Sequence, residues 1–261
     1  MERISEEFQG NSFTPFAQIN SRLIEKQNLD IYHYTYDRQD HYEQFMLYSA
    51  YFVRYLKLWE PIEELGIRIR LKWIIFISEI LKKYNHPHEG TETIYSSLGS
   101  LESFRNISPG TIPMVHKKFR ELSAEKNVKD ILGLKYIELK EHDTPLNVWG
   151  SRYWLFFHYT TFCINGYGKD LINSMADLML NLHLIIVCEE CYVNLFKHNI
   201  LDNVTVPMRK TQDPISIIYK FHNVVNASLY SSIFSQNDFC QKYKCEMKFS
   251  RKINYIHLIK V

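Results

Sequence analysis

Two thiols separated by two residues, Cys188 and Cys191, are the part of this chain best suited to moving electrons. A pair at that spacing can close a small disulfide. At a helix start, free backbone amides and the helix dipole lower a thiol's pKa and populate the thiolate that attacks disulfides. The same spacing also serves a zinc knuckle, a thioredoxin-type site, or two unrelated core cysteines. A zinc site would join Cys188 and Cys191 to Cys240 and Cys245. Knuckle cysteines sit in Gly- or Pro-containing turns, however, whereas this pair lies between Leu184-Ile185-Ile186-Val187 and Tyr192-Val193-Asn194-Leu195-Phe196. A thioredoxin-type site needs alternating strands and helices, which the pattern lacks, and Pro207 stands too close to the dithiol to serve such a site.

Histidine-bearing segments flank the dithiol about equally far away. His158 lies thirty residues before Cys188 and closes the run Trp149 to His158; His222 lies thirty-one residues after Cys191 and opens His222-Asn223-Val224-Val225-Asn226. On a helix, Trp154 and His158 are one turn apart and share a face. An indole beside an imidazole makes a flat, partly polar wall suited to stacking on an aromatic ring system. His222 and Asn226 repeat the spacing, with Asn223 adjacent, and these groups can hydrogen-bond ring nitrogens and ribose hydroxyls. Taken singly, Trp154 is more often simple core and His158 a satisfied buried histidine. Three polar groups among Phe221, Val224, Val225 and Leu229 are harder to dismiss, because buried polar groups need partners.

The elements that position these residues read as helices. Phe45, Leu47, Tyr48, Phe52, Tyr55, Leu56 and Trp59 give residues 41–60 one apolar face. Residues 67–84 form another helix, too short and too charged to span a bilayer, since Arg68, Arg70, Lys72 and Glu79 interrupt it. Residues 114–140 are partly helical. The loop through His142-Asp143-Thr144-Pro145 marks a domain boundary, giving domains 1–143 and 144–261. Four helices follow. The first runs from about Val148 to Cys163 and breaks at Asn165-Gly166-Tyr167-Gly168. The second has Asp170 as N-cap, with Leu171, Met175, Leu178, Met179, Leu182 and Ile186 on one face. A short third starts at or just after the dithiol. The fourth opens with Asp213 as N-cap and Pro214 at its first position. The expected fold class is all-α, with a C-terminal four-helix bundle, plus a short helix, beside an N-terminal helical domain.

Composition narrows the function. A formal charge of +2 is too weak to imply nucleic-acid binding, and five cysteines are too few for a secreted disulfide scaffold. Met1 to Glu7 lacks the apolar core of a signal peptide, so the chain is expected in a reducing compartment, where a disulfide is more often catalytic than structural.

The three motifs, in this order and at about these spacings, resemble the FAD-linked sulfhydryl oxidases of the Erv/ALR family over roughly residues 147–245. The resemblance implies FAD held in the mouth of a four-helix bundle. It implies Arg152, Trp154 and His158 lining the pocket from the first helix, and His222, Asn223 and Asn226 from the fourth. Cys191 would sit against the flavin ring, and Cys188 would be the more exposed interchange thiol. Protein dithiols would be oxidised, oxygen would be the final acceptor and hydrogen peroxide the product; no metal site is implied.

Two departures stand out. The family's structural disulfide has no counterpart, because Tyr219 occupies the earlier cysteine position; Cys240 is left to pair with Cys245, as a staple or shuttle, or to stay free. The basic residue that often follows the last motif is not evident at Ala227 to Tyr230. The helical N-terminal half is similar to that of the sulfhydryl oxidases of baculoviruses and related insect large DNA viruses. This implies a homodimer in host cytoplasm or nucleus and in the virion. Two other classes are a flavin-free thiol–disulfide relay, and a helical interaction protein with an inert or zinc-binding dithiol.

Overall fold

The computed structural model describes residues 24–56, 64–84, 146–186, 191, 193, 195, 197–229 and 231–258. In chain order these form β1 (Ile24–Tyr36), α1 (Arg38–Tyr55), α2 (Glu64–Lys83), α3 (Leu146–Ile164), α4 (Lys169–Leu180), α5 (Val206–Thr211), α6 (Pro214–Ser228), α7 (Gln236–Lys242) and β2 (Cys245–Leu258). A 3-10 turn at Leu182–Leu184 and a π-helical turn at Leu201–Thr205 lie between α4 and α5. Cys188, the expected helix at 114–140, Trp59 and the expected boundary at 143/144 lie outside the described residues.

Tyr32 to Lys248 belong to one compact unit, and the outer parts of the two strands, up to Ile31 and from Phe249, to another. Within the larger unit α3 is the central element. Its Phe156 stacks on Phe52 of α1 at 3.9 Å and meets Trp73 of α2 edge-on at 5.8 Å. Tyr48 of α1 lies parallel to Tyr159 at 5.6 Å. Each buried phenylalanine contributes about 1.5–3 kcal/mol, so this aromatic seam is a major part of the core. One hydrophobic cluster takes Phe45, Phe52, Trp73 and Ile77 from before the expected boundary and Phe156, Met175, Met208 and Phe221 from after it.

Helix α2 buries Ile67, Ile69, Leu71, Trp73 to Ile77, Ile80 and Leu81 and leaves Lys72, Lys82 and Lys83 exposed. Its Arg70 is buried as well, and its guanidinium donates to the carbonyls of Leu56 at 2.8 Å, Gly66 at 3.1 Å and Leu184 at 2.8 Å. Leu56 follows the end of α1 and Leu184 ends the 3-10 turn, so one side chain satisfies carbonyls at two helical termini.

Helix ends follow local chemistry. The Asp37 side chain accepts from the amides of Gln39 and Asp40 and caps α1. Asp213 caps α6 through the Ser216 amide at 3.0 Å with Pro214 at the first position, as the sequence predicts. The cap of α4 differs: it is Gly168, with φ 103, and Asp170 lies inside the first turn. That backbone conformation favours glycine, and Asp170 faces the positive end of the helix dipole instead.

A second difference is the two-stranded sheet β1–β2, in a chain expected to be all-α. The architecture is mainly α, with this one small sheet among the described residues. The cause is an alternation of half-buried Tyr32, Tyr34 and Tyr36 with exposed His33 and Thr35. Charged residues such as Lys248 and Arg251 keep the hydrophobicity of β2 low. Asp213 ties the sheet to the bundle, accepting from the Tyr32 amide at 3.1 Å and the Tyr34 hydroxyl at 3.0 Å.

Asp213 therefore both caps α6 and anchors β1. Asp213→Ala is expected to lower unfolding stability by about 2–3 kcal/mol, more than a cap alone, because the Tyr34 hydroxyl loses its buried acceptor. Urea unfolding of the two proteins measures this, and a loss below about 0.5 kcal/mol would refute it.

Candidate histidine-tryptophan site

The residues expected to act together come from two helices. Trp154 and His158 lie one turn apart on α3, and His222 lies in the middle of α6. The His222 ring stacks on the Trp154 indole at 4.0 Å between centroids and 7° between planes. His158 Nε2 and His222 Nδ1 are 2.9 Å apart and share a hydrogen bond. Below them, Tyr243 lies 4.7 Å and Phe239 5.4 Å from the His158 ring. Phe234 stands 5.7 Å from His222. The three motif residues thus form one aromatic and imidazole wall, 64 positions apart in sequence at the histidine pair.

Both imidazoles are neutral at pH 7. Burial, helped by the charges of His222 and Lys242, holds His158 well below the usual histidine range. Burial and then Lys242 lower His222 to about 4. A neutral imidazole carries a single N–H, so the shared hydrogen bond fixes the other nitrogens. His158 is buried and its Nδ1 has no hydrogen-bond partner among the described residues. If His158 accepted at Nε2, that orphan Nδ1 would be a donor without an acceptor. Donation from His158 Nε2 leaves Nδ1 as a bare acceptor and His222 with its N–H on Nε2, the less costly arrangement.

The other candidate residues lie elsewhere. The Arg152 guanidinium sits 3.9 Å over the Tyr51 ring and donates to the Tyr55 hydroxyl at 2.6 Å, so it faces α1. Asn223 spends both ends of its amide on Phe234, donating to its carbonyl and accepting from its N–H, each at 2.9 Å. Asn226 donates to the Ser232 carbonyl at 3.2 Å. These two side chains hold segment 231–235 against α6. That segment leads into α7, which starts with a capping box between Ser235 and Asp238. Helix α7 then sets Phe239, Lys242 and Tyr243 against the histidines. The Ser235-Gln236-Asn237-Asp238 spacing ahead of Phe239 is the signal that could have revealed this element.

Lys242 is the further charged residue of the site. Its ammonium lies 4.7 Å from the Phe234 ring and 5.7 Å from the Tyr243 ring, and burial lowers its pKa. It places a positive charge beside His222 where the α6 segment after the motif offers none.

The chain after the dithiol docks on the same helix. Cys191, Val193 and Leu195 are helical in backbone, and Cys191 is half-buried and packed against the main core. His198, two turns later, meets Phe221 of α6 edge-on at 6.4 Å, and its Nε2 hydrogen-bonds Ser228 Oγ at 3.0 Å. Phe221 in turn lies 5.9 Å from Trp154. Among the described residues, no group of three or more His, Cys, Asp and Glu converges as metal ligands, and no helix is long and apolar enough to cross a membrane.

Trp154 and His222 offer π surface, the histidine pair has unused hydrogen-bonding capacity, and Lys242 adds a cation. A planar heteroaromatic cofactor with an anionic part fits this donor set. Comparison with protein-family models, with curated proteins and with solved structures found no match to the chain.

The histidine pair also fixes a pH dependence. Both folded pKa values lie below the unfolded value near 6.5, so the unfolded chain binds more protons as pH falls through that value. Stability is full above about pH 6.5 and declines below it, for His222 down to about 4, at up to about 1.4 kcal/mol per pH unit for each histidine. Urea midpoints at pH 7 and pH 5 test the decline, and His222→Gln is expected to remove roughly half of it. Lys242→Gln is expected to raise the His222 pKa, read by NMR titration; an unchanged or lower value would contradict the Lys242 assignment.

Proposed function

We propose that the chain is an FAD-dependent thiol oxidase that forms disulfides in protein substrates. The observation that carries it is the contact of Trp154, His158 and His222, picked from two separate motifs and meeting at stacking and hydrogen-bond distance. The net reaction converts a substrate dithiol and oxygen into a substrate disulfide and hydrogen peroxide, with two electrons and two protons transferred. FAD, when bound, supplies acceptance of an electron pair from a thiolate and its delivery to oxygen.

The residues of the chain do the rest. Cys188 and Cys191 exchange with the incoming dithiol, one S–S bond breaking as the substrate's forms. Trp154 and His222 stack on one another, and an aromatic ring would extend that stack on the outer face of one of them. The His158–His222 hydrogen bond orients His222 so that its Nε2–H serves as a fixed donor. Lys242 supplies a positive charge for a phosphate group. Asn223 and Asn226 act from behind, fixing segment 231–235 so that α7 closes the lower side of the wall. Arg152 braces α3 against α1.

The visible spectrum of the purified protein, before and after anaerobic dithiothreitol, is the direct test. A flavin spectrum that bleaches and returns in air with peroxide supports the oxidase; a colourless protein that takes up no added FAD overturns it. The Cys188→Ser, Cys191→Ser double variant is expected to keep flavin but oxidise dithiothreitol about a hundredfold more slowly or worse. His222→Ala is expected to weaken FAD binding by about tenfold, equivalent to about 1.4 kcal/mol.

A further inference from the structure

A second pair of thiols lies at the turn between α7 and β2. The last turn of α7 closes with the Tyr243 amide bonded to the Phe239 carbonyl at 3.0 Å and the Lys244 amide to the Gln241 carbonyl at 3.4 Å. Lys244 then takes a left-handed conformation, φ 47, and the chain doubles back into Cys245. This reversal carries the chain back past Cys240, so that Cys245 packs in the same small cluster as Cys240. Both belong to one small cluster with Phe162, Ile215, Phe239 and Tyr243. Cys240 is half-buried and Cys245 buried, and neither is disulfide-bonded.

We propose that Cys240 and Cys245 form a reversible disulfide by exchange with small-molecule disulfides of the oxidised-glutathione class, a redox site separate from Cys188 and Cys191. The difference in exposure sets the order of steps. The Cys240 thiolate attacks one sulfur of the small disulfide, releasing one thiolate and leaving a mixed disulfide on Cys240 Sγ. Cys245 then gives up its proton to solvent and attacks that Sγ. The Cys240–Cys245 bond forms and the second small thiolate leaves. The pair loses two electrons and two protons, and the small disulfide is reduced to two thiols. Burial raises the Cys245 thiol's pKa and still does so once Cys240 is capped, so closure is the slower step and accelerates with pH. A third thiol, Cys163, is buried and its pKa is pushed up by that burial, which keeps it out of the exchange.

The bond would bracket Lys242 and Tyr243. These residues border the two histidines, so oxidation would stiffen the turn that places Lys242 at the site.

Tryptic mapping tests the pair on the unsubstituted chain. Trypsin cuts after Lys220, Lys242, Lys244 and Lys248, so Cys240 and Cys245 leave on separate peptides, 221–242 and 245–248. Cys188 and Cys191 stay together on 170–197 and do not interfere. The protein is held in excess oxidised glutathione at pH 8, quenched with N-ethylmaleimide and digested. The expected product is peptide 221–242 joined to 245–248, two hydrogens lighter than their sum, lost after dithiothreitol and absent from Cys240→Ser. Recovery of both peptides separately alkylated overturns the proposal. So does recovery of Cys240 carrying glutathione beside alkylated Cys245.

Discussion

Helix α3 is covered on several sides at once, and most of the structure is a response to that constraint. Helices α1 and α2 press on it with Phe52 and Trp73, α6 with Phe221 and His222, and α7 with Phe239 and Tyr243. A helix so enclosed can carry polar side chains only where a neighbour satisfies them. His158 meets another imidazole, while Thr160 and Thr161 donate to carbonyls of their own helix at 2.7 and 2.6 Å. Burial thus directs the polar side of α3 to the seam with α6, where Trp154 and His158 meet His222.

That seam explains how supporting residues share the work. A donor is useful to a ligand only if its direction is fixed beforehand. Here the direction of His222 is set by His158, and the position of α7 by Asn223 and Asn226 through backbone contacts with Phe234 and Ser232. Polar residues that look like ligand contacts in a motif can thereby act on the scaffold of the site.

How much was legible depended on whether the signal was local. The Asp213-Pro214 start of α6 and the Asn165 to Gly168 break after α3 rest on neighbouring residues, and the structure reproduces both. The shared face of Trp154 and His158 follows from helical spacing. The same geometry puts Arg152 six residues from His158, roughly 240° around the helix, and so on another face. The β1–β2 pairing was not legible, because it joins segments more than two hundred positions apart and neither is strongly apolar. Helix α7 was legible in principle through Ser235 and Asp238. The glycine cap of α4 competed with a plausible aspartate, and backbone conformation decided between them.

The anchoring of β1 bears on the order in which the molecule assembles. The Asp213 carboxylate is matched by groups 181 and 179 positions earlier in the chain, on Tyr32 and Tyr34. Closing so long a loop costs conformational entropy before any contact repays it, and such contacts slow folding. During synthesis the β1 tyrosines emerge long before their acceptor exists. At about 5–20 residues per second, roughly ten to forty seconds separate the two. The contacts of α3 with α1 and α2 can form in that interval, but the tyrosines meet their carboxylate only once residue 213 has been made.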